Sequence, residues 1–349
     1  MGFQEKILSK SNSYRYYKQR NEILEKENES LKAEIEKLKN KEDLTLTEQF
    51  NKDYPNSSGF CNWSYIDYFF QDDFEDRLKA VTKNLDHDSK LKYKWILLRA
   101  LSTNVLTRDS LYFYYELDDQ KKFTDFKINN SSVNEIAGFK FTGDYNLHAF
   151  IDLNLTAEDK EFLKNKDIID AGAYTGDTSL PLSKVTEKNV YAFEPFEDSY
   201  NLLTKNIKDN NIENIVPEMK SLGNTNGERS LYLSGQNVQG ITSNPDARAY
   251  DRELKVDEVT IDKYVEDNNL DVGFITVDVE GAEMDLLNGA INTIKTQRPI
   301  LHISIYHKVT DFFEIIPWIA NLDLNYEFKV FKEQPWPFLA DTVVQCRAK

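Results

Sequence analysis

The sequence predicts an α/β fold, a mostly parallel sheet with helices on both faces, preceded by an N-terminal coiled-coil helix and a small helical module. Three observations lead there. Between about residues 167 and 321, short apolar runs alternate with segments of helical period, the pattern of consecutive βαβ units. The first such run, Ile168-Ile169-Asp170, ends in a turn bracketed by Gly172 and Gly176, followed by a helical stretch from Thr178. A doubly wound sheet uses that step from first strand to first helix to hold a ligand at a helix N-terminus. Upstream, residues 14–42 repeat apolar positions at heptad spacing.

In chain order, Tyr17, Leu24, Leu31 and Leu38 stand seven apart, and Asn21, Asn28 and Ile35 hold the second heptad position. Asparagine at two a positions favours a parallel dimer in register, so a homo-oligomer joined by this coiled coil is expected. Residues 45–59, with Pro55 and Gly59, read as a linker. Residues 63–122 are dense in aromatics at helical spacing, among them Trp63, Tyr65, Tyr93, Trp95 and Tyr112. They read as helices around an aromatic core. Residues 131–155 read as a hairpin leading into the sheet. Domains are therefore expected at 1–44, 45–130 and 131–349. In the last, strands are expected at 167–170, 190–194, 213–219, 273–278 and 299–305. Helices are expected near 178–184, 198–209, 260–267, 282–295 and 312–321. Residues 326–331 and 342–346 are expected to form a terminal antiparallel pair. The polar stretch 236–252 is long enough to cover a substrate.

The turn narrows the ligand. Its glycines are spaced Gly172-x-x-x-Gly176, unlike the G-x-G-x-x-G fingerprint of dinucleotide binding. A nicotinamide-dependent oxidoreductase is therefore the weaker reading. Glu194, followed by Pro195, ends the second strand 24 residues after Asp170. A carboxylate there is placed to accept ribose hydroxyls, so the cofactor carries a ribose. The residues expected to hold it are Asp170, Gly172, Ala173, Tyr174, Gly176, Asp177, Thr178, Glu194 and Pro195. A third apolar strand, 273–277, runs into Asp278, Glu280 and Glu283 around Gly281. These acids sit at the carboxyl end of a strand, where open α/β sheets bind ligands.

These segments together resemble the FkbM-type methyltransferase family. The resemblance rests on Asp170-Ala-Gly-Ala-Tyr-Thr-Gly, Glu194-Pro195, Val259-Thr-Ile-Asp262, Asp278-Val-Glu-Gly-Ala-Glu283 and Ser304-Ile-Tyr-His-Lys308, and covers about residues 145–346. The acidic string is its most specific part. Two departures stand out: Thr276 where the family usually has lysine, and Tyr174 where it usually has asparagine. The resemblance implies a class I, Rossmann-like methyltransferase fold and S-adenosylmethionine as cofactor. It adds Leu222, in Leu222-Gly223-Asn224, and Asp278 to the expected cofactor-binding residues. It further implies O-methylation of a hydroxyl on a sugar, glycan or related metabolite.

A hydroxyl acceptor benefits from a positioned base, and the candidates are His307 and Asp278. His307 ends the fifth strand at the active edge of the sheet, and an imidazole titrates near neutral pH. His302, inside the same strand, reads as a core histidine. Glu280, Glu283 and Tyr306 are the acceptor-binding candidates. A divalent metal held by Asp278 and Glu280 is a second option, not the favoured one.

Composition limits the partners. Lys and Arg total 43 against 59 Asp and Glu, a net charge of −16, which repels phosphate backbones. Nucleic acid is not the expected substrate. Cys61 and Cys346 read as reduced thiols rather than a metal cluster. No apolar run has the length of a membrane span or a signal peptide, so a cytoplasmic location is expected. The alternative to an enzyme is a non-catalytic scaffold of the same fold, assembled through the coiled coil.

Overall fold

The computed structural model describes residues 32, 68–102, 131–132, 135–145, 147–150, 153–233, 252–332 and 341–349. The chain divides into residues 1–69 and a compact unit, Phe70–Lys349, which holds everything described below. The coiled-coil segment (Lys32 excepted), the 45–59 linker, Trp63, Tyr65, Tyr112, Cys61 and nearly all of 236–252 lie outside the described residues.

The sheet is built on its most apolar segments. Strands β4 (Asp167–Ala171) and β10 (Val272–Val277) are buried along their whole length, as expected of central parallel strands covered on both faces. With β5 (Val190–Phe193), β6 (Ile215–Glu218), β11 (Ile300–Ser304), β12 (Tyr326–Lys332) and β13 (Thr342–Ala348), they form one seven-stranded sheet in the order β12-β13-β11-β10-β4-β5-β6. The five strands from β6 to β11 are parallel. Strand β13 runs antiparallel between β11 and β12. The chain moves outward from β4 to β6, then returns to place β10 on the other side of β4. The order therefore reverses between β4 and β10, with Thr276 opposite Asp170 and Val277 opposite Ala171. Ligands bind outside the carboxyl ends of the strands at such a reversal.

Helices α1 (Phe74–Thr82) and α2 (His87–Ser102) are the described part of the aromatic region. Phe74 and Tyr93 are buried and Trp95 is half-buried. Tyr93 stacks on Phe312 at 4.2 Å and donates its hydroxyl to the Phe312 carbonyl at 2.8 Å. Phe74 meets Phe313 edge-on at 5.8 Å. The short strands β1 (Ser131–Ser132), β2 (Glu135–Ile136) and β3 (Phe139–Lys140) form a three-stranded antiparallel sheet where a single hairpin was expected.

The sequence reading missed helix α3 (Ala157–Leu163) and a second sheet. That sheet joins β7 (Ser221–Leu222), β8 (Gly227–Leu233) and β9 (Arg252–Val259) in the order β7-β9-β8. Strand β9 begins with four consecutive exposed residues, so the alternation that normally marks a strand is nearly absent. The remaining helices are α4 (Ser179–Leu182), α5 (Glu197–Asp209), α6 (Ile261–Asn268), α7 (Glu283–Asn288), α8 (Ile291–Gln297) and α9 (Val309–Ala320).

The single helix expected over 282–295 is two, α7 and α8, and the break has a cause. A Cβ on Gly289 would lie 2.0 Å from the Gly223 carbonyl oxygen, so only glycine allows this approach. The Asp262 carboxylate then caps α8, accepting from Asn292 N at 3.0 Å and Thr293 N at 2.7 Å. No described helix is long and apolar enough to cross a membrane.

Candidate active site

The turn after β4 is where the backbone is most constrained. Gly172 has φ +85° and Tyr174 has φ +45°. A Cβ on Gly172 would lie 1.9 Å from the Asp278 carbonyl oxygen. The two strand ends at the reversal therefore touch through backbone, and Asp278 N donates to the Ala171 carbonyl at 2.9 Å. The turn also reaches across to β5. Gly172 N and Ala173 N both donate to the Phe193 carbonyl, at 3.1 and 2.9 Å. Tyr174 N donates to Glu194 Oε2 at 2.9 Å.

Glu194 is 4% exposed and accepts one backbone donor on each oxygen, the second being Phe196 N at 2.9 Å on Oε1. Burial pushes its carboxyl up to about 8; those two donors oppose the rise and the nearby Asp170 and Glu280 add to it. A pair of hydroxyl donors would stabilise the charged form and use its remaining acceptor capacity. The turn and Glu194 thus fit a ribose-bearing cofactor, through a backbone free of Cβ bulk and a carboxylate short of donors.

Asp170 is 2% exposed and lies beneath the turn rather than in its mouth. Its carboxylate accepts from the Ser179 hydroxyl, and burial pushes it up to about 7. Sequence reasoning missed Ser179; its position at the start of the helix after the turn is the available signal. Ala173 and Asp177 are buried, and Thr178 starts α4 without a side-chain cap. Pro195 continues the exit from β5, and Leu222 is buried at the end of β7.

The acidic string divides by depth. Asp278 and Glu280 open to solvent, with side chains 46% and 38% exposed. Glu283 is fully buried, which corrects the expectation that it contacts the acceptor. Its Oε1 accepts from Val279 N and Gly281 N, each at 3.2 Å, and lies 2.7 Å from His307 Nδ1. The tight Asp278–Glu283 connection, with Glu280 at φ +54°, folds the chain back so that Glu283 sits beneath its own loop. Burial would raise the Glu283 carboxyl, but His307 and the backbone donors outweigh it and hold the group below the usual carboxylate range.

His307 follows the end of β11, its side chain 9% exposed. With Nδ1 on Glu283, its Nε2 is buried beneath the two outer acids, 3.3 Å from Asp278 Oδ1 and 3.8 Å from Glu280 Oε2. Nε2 makes no hydrogen bond among the described residues. Burial alone would lower this imidazole; Glu283, Asp278 and Glu280 outweigh it and push it up to about 10. The Tyr306 ring lies 4.0 Å from the His307 ring, and its hydroxyl is 3.5 Å from Asp278 Oδ2. Asp278, Glu283 and His307 are also close enough to surround a cation. Glu283 is already committed to His307 and to two backbone donors, however, so the set offers few unused ligand atoms.

These ionisations set the pH dependence of stability. Asp170, Glu194 and His307 hold protons to higher pH in the folded protein than the ~4 and ~6.5 of unfolded carboxyls and imidazoles. The folded state binds the excess protons, so stability falls as pH rises through that interval. Glu283 acts oppositely, below the ordinary carboxylate range. The melting temperature of the ligand-free protein is therefore expected to fall steadily from about pH 6 to about pH 9. A flat or rising profile in scanning fluorimetry would contradict these assignments.

A central parallel sheet with this reversal, a glycine turn on its first strand and a ribose-type carboxylate on its second define a class I methyltransferase fold. Residues 170–328 match the sequence model of the methyltransferase FkbM domain. That segment is therefore similar to the domain of FkbM methyltransferases. No curated protein sequence matches the chain. Among solved structures, methyltransferase FkbM from Methylobacillus flagellatus KT is similar, with a TM-score of 0.49 and 17% identity. The similarity covers 81% of this chain and 61% of that one, so the chain spans about three fifths of that protein's length. SMU.1697c from Streptococcus mutans, solved in complex with SAH, has a TM-score of 0.34 and 17% identity, over 55% of this chain and 96% of that one.

Proposed function

We propose that the chain methylates a hydroxyl of a sugar, glycan or related metabolite, with His307 Nε2 as the general base. The observation that carries this is the pair Glu283–His307. A buried carboxylate holds Nδ1 at 2.7 Å and leaves Nε2 beside Asp278. This is the orienting logic of a carboxylate–histidine pair, in which the carboxylate fixes tautomer and ring direction.

When bound, S-adenosylmethionine supplies the methyl group on a sulfonium centre. The turn from Gly172 to Tyr174 would lie against it, and Glu194 would accept its ribose hydroxyls. The chain's own part is to orient the acceptor and manage its proton. Asp278, Glu280 and Tyr306 line the mouth with oxygens that can accept from or bond to a diol. His307 Nε2 takes the proton that the acceptor hydroxyl loses, and Glu283 stabilises the resulting imidazolium. The carboxylates around the mouth disfavour an anionic acceptor. The heptad segment 14–42 is the proposed assembly element, and a cytoplasmic location is proposed with it.

The test is thermal shift with S-adenosylhomocysteine and, separately, with NAD, followed by transfer of labelled methyl to a panel of neutral sugars and glycans, with sugar nucleotides as the disfavoured anionic arm. Stabilisation by S-adenosylhomocysteine is expected, and Glu194→Ala is expected to abolish it. Stabilisation by NAD alone would overturn the reading in favour of an oxidoreductase. A response to neither would favour the scaffold.

A further inference from the structure

Behind His307 lies a second buried carboxyl that the proposed chemistry leaves without a role. Asp311 stands in the first turn of α9, 2% exposed, and its Oδ2 accepts from Lys308 N at 3.0 Å. Helices α7 and α9 are in contact and bring the two buried carboxyls close enough for Glu283 to bear directly on the Asp311 proton. Three donors converge on Glu283 Oε1: Val279 N, Gly281 N and His307 Nδ1. Its Oε2 is buried and has no hydrogen-bond partner among the described residues.

Two carboxyls in contact in a dry interior do not both ionise; one keeps a proton. A protonated carboxyl is a donor, and a buried carboxylate oxygen left unmet is costly. The donors decide which of the two is ionised. Glu283 has three, including the His307 ring, whereas Asp311 faces one backbone N–H, with Lys308 and His307 as the nearby cationic groups. Burial first, and then the charge of Glu283, push the Asp311 carboxyl up to about 8 against the pull of Lys308 and His307.

We propose that Asp311 carries a proton and donates it to Glu283 Oε2, which makes Asp311 a positioning residue for the carboxylate–imidazole pair. The role rests on His307 acting as the base. Asp311 touches neither acceptor nor cofactor. It satisfies the far side of Glu283, so that the near oxygen stays aimed at Nδ1 and Nε2 stays beside Asp278. In sequence Asp311 looks like any acid in a first helical turn, where the macrodipole favours one.

Asp311→Asn keeps a donor of the same shape with no charge, and Asp311→Ala removes the donor. With labelled-methyl turnover as the readout, Asn is expected to keep kcat and the pH profile of the full-length protein. Ala is expected to lose about tenfold in kcat at unchanged KM, the equivalent of one lost hydrogen bond, with its activity limb moved to higher pH. Infrared difference spectroscopy near neutral pH reads the proton directly, without turnover. Wild type minus Asp311→Asn should show one extra protonated-carboxyl C=O stretch, beyond the bands that Asp170 and Glu194 leave in both. A difference spectrum without that extra band would overturn the proposal, as would an Asn variant impaired as much as Ala. If no acceptor is methylated even by the wild type, the proposed function fails, while the infrared result still decides where the proton lies.

Discussion

His307→Ala is expected to lower kcat by about 10²–10⁴-fold, the usual contribution of a general base, while S-adenosylhomocysteine binds as before. The separation follows from geometry. The proposed cofactor contacts lie on the β4 turn and Glu194, whereas His307 follows the end of β11 and is held by Glu283. Truncation also strands the Glu283 carboxylate, so a second variant isolates the chemistry. His307→Asn keeps a donor toward Glu283 but has no basic nitrogen, and it should fold like the wild type while losing the same turnover. The pH profile adds a signed expectation. Because the surrounding carboxylates push the imidazole up to about 10 in the ligand-free protein, kcat should rise with pH past the ordinary histidine value of ~6.5. Binding of a sulfonium cation would bring that limb down, and Glu283→Gln, which removes a negative charge, should lower it further. Full activity in His307→Asn would eliminate His307 as the base and leave Asp278.

Gly172→Val is expected to be the most damaging single substitution in the fold. The new Cβ would lie 1.9 Å from a backbone oxygen, that of Asp278, at φ +85°. A β-branched residue is a genuine outlier at positive φ, and no side chain can move aside, because the obstacle is main chain. Strain of ~1–3 kcal/mol and overpacking of ~1–3 kcal/mol add to a loss of several kcal/mol. That is on the order of 10 °C in melting temperature for a domain of this size. S-adenosylhomocysteine binding should disappear as well, since the turn and the Asp278 backbone separate together. Gly138→Ala is the control. Gly138 has φ +80° but open space where a Cβ would go, so it carries the strain without the collision and should lose only the smaller part. If Gly172→Ala matched Gly138→Ala in melting temperature and kept its ligand affinity, the close contact between β4 and β10 would not be what shapes the site.

The sequence by itself determined the sheet and its ligand-binding edge. Strands β4, β5, β10 and β11 are short, mostly apolar runs that are buried almost throughout, and the glycines of the turn can be read directly from the chain. It likewise placed Glu194, because the distance from first to second strand is set by one crossover helix. The second sheet was not legible, since β9 exposes most of its side chains and stands by backbone pairing to β8 and β7. Nor was the break at Gly289, which depends on a carbonyl 66 residues earlier, that of Gly223. The site shows the same limit. Asp278, Glu280 and Glu283 are three acids of one string and look alike in sequence. Only the fold turns two outward and buries the third against His307, because the sharp turn at Glu280 and Gly281 reverses the chain between them. Sequence fixes which chemical groups are available and which strand ends carry them. The tertiary structure decides which of those groups lose water, and the loss of water separates carboxylates left open to solvent from one buried against an imidazole.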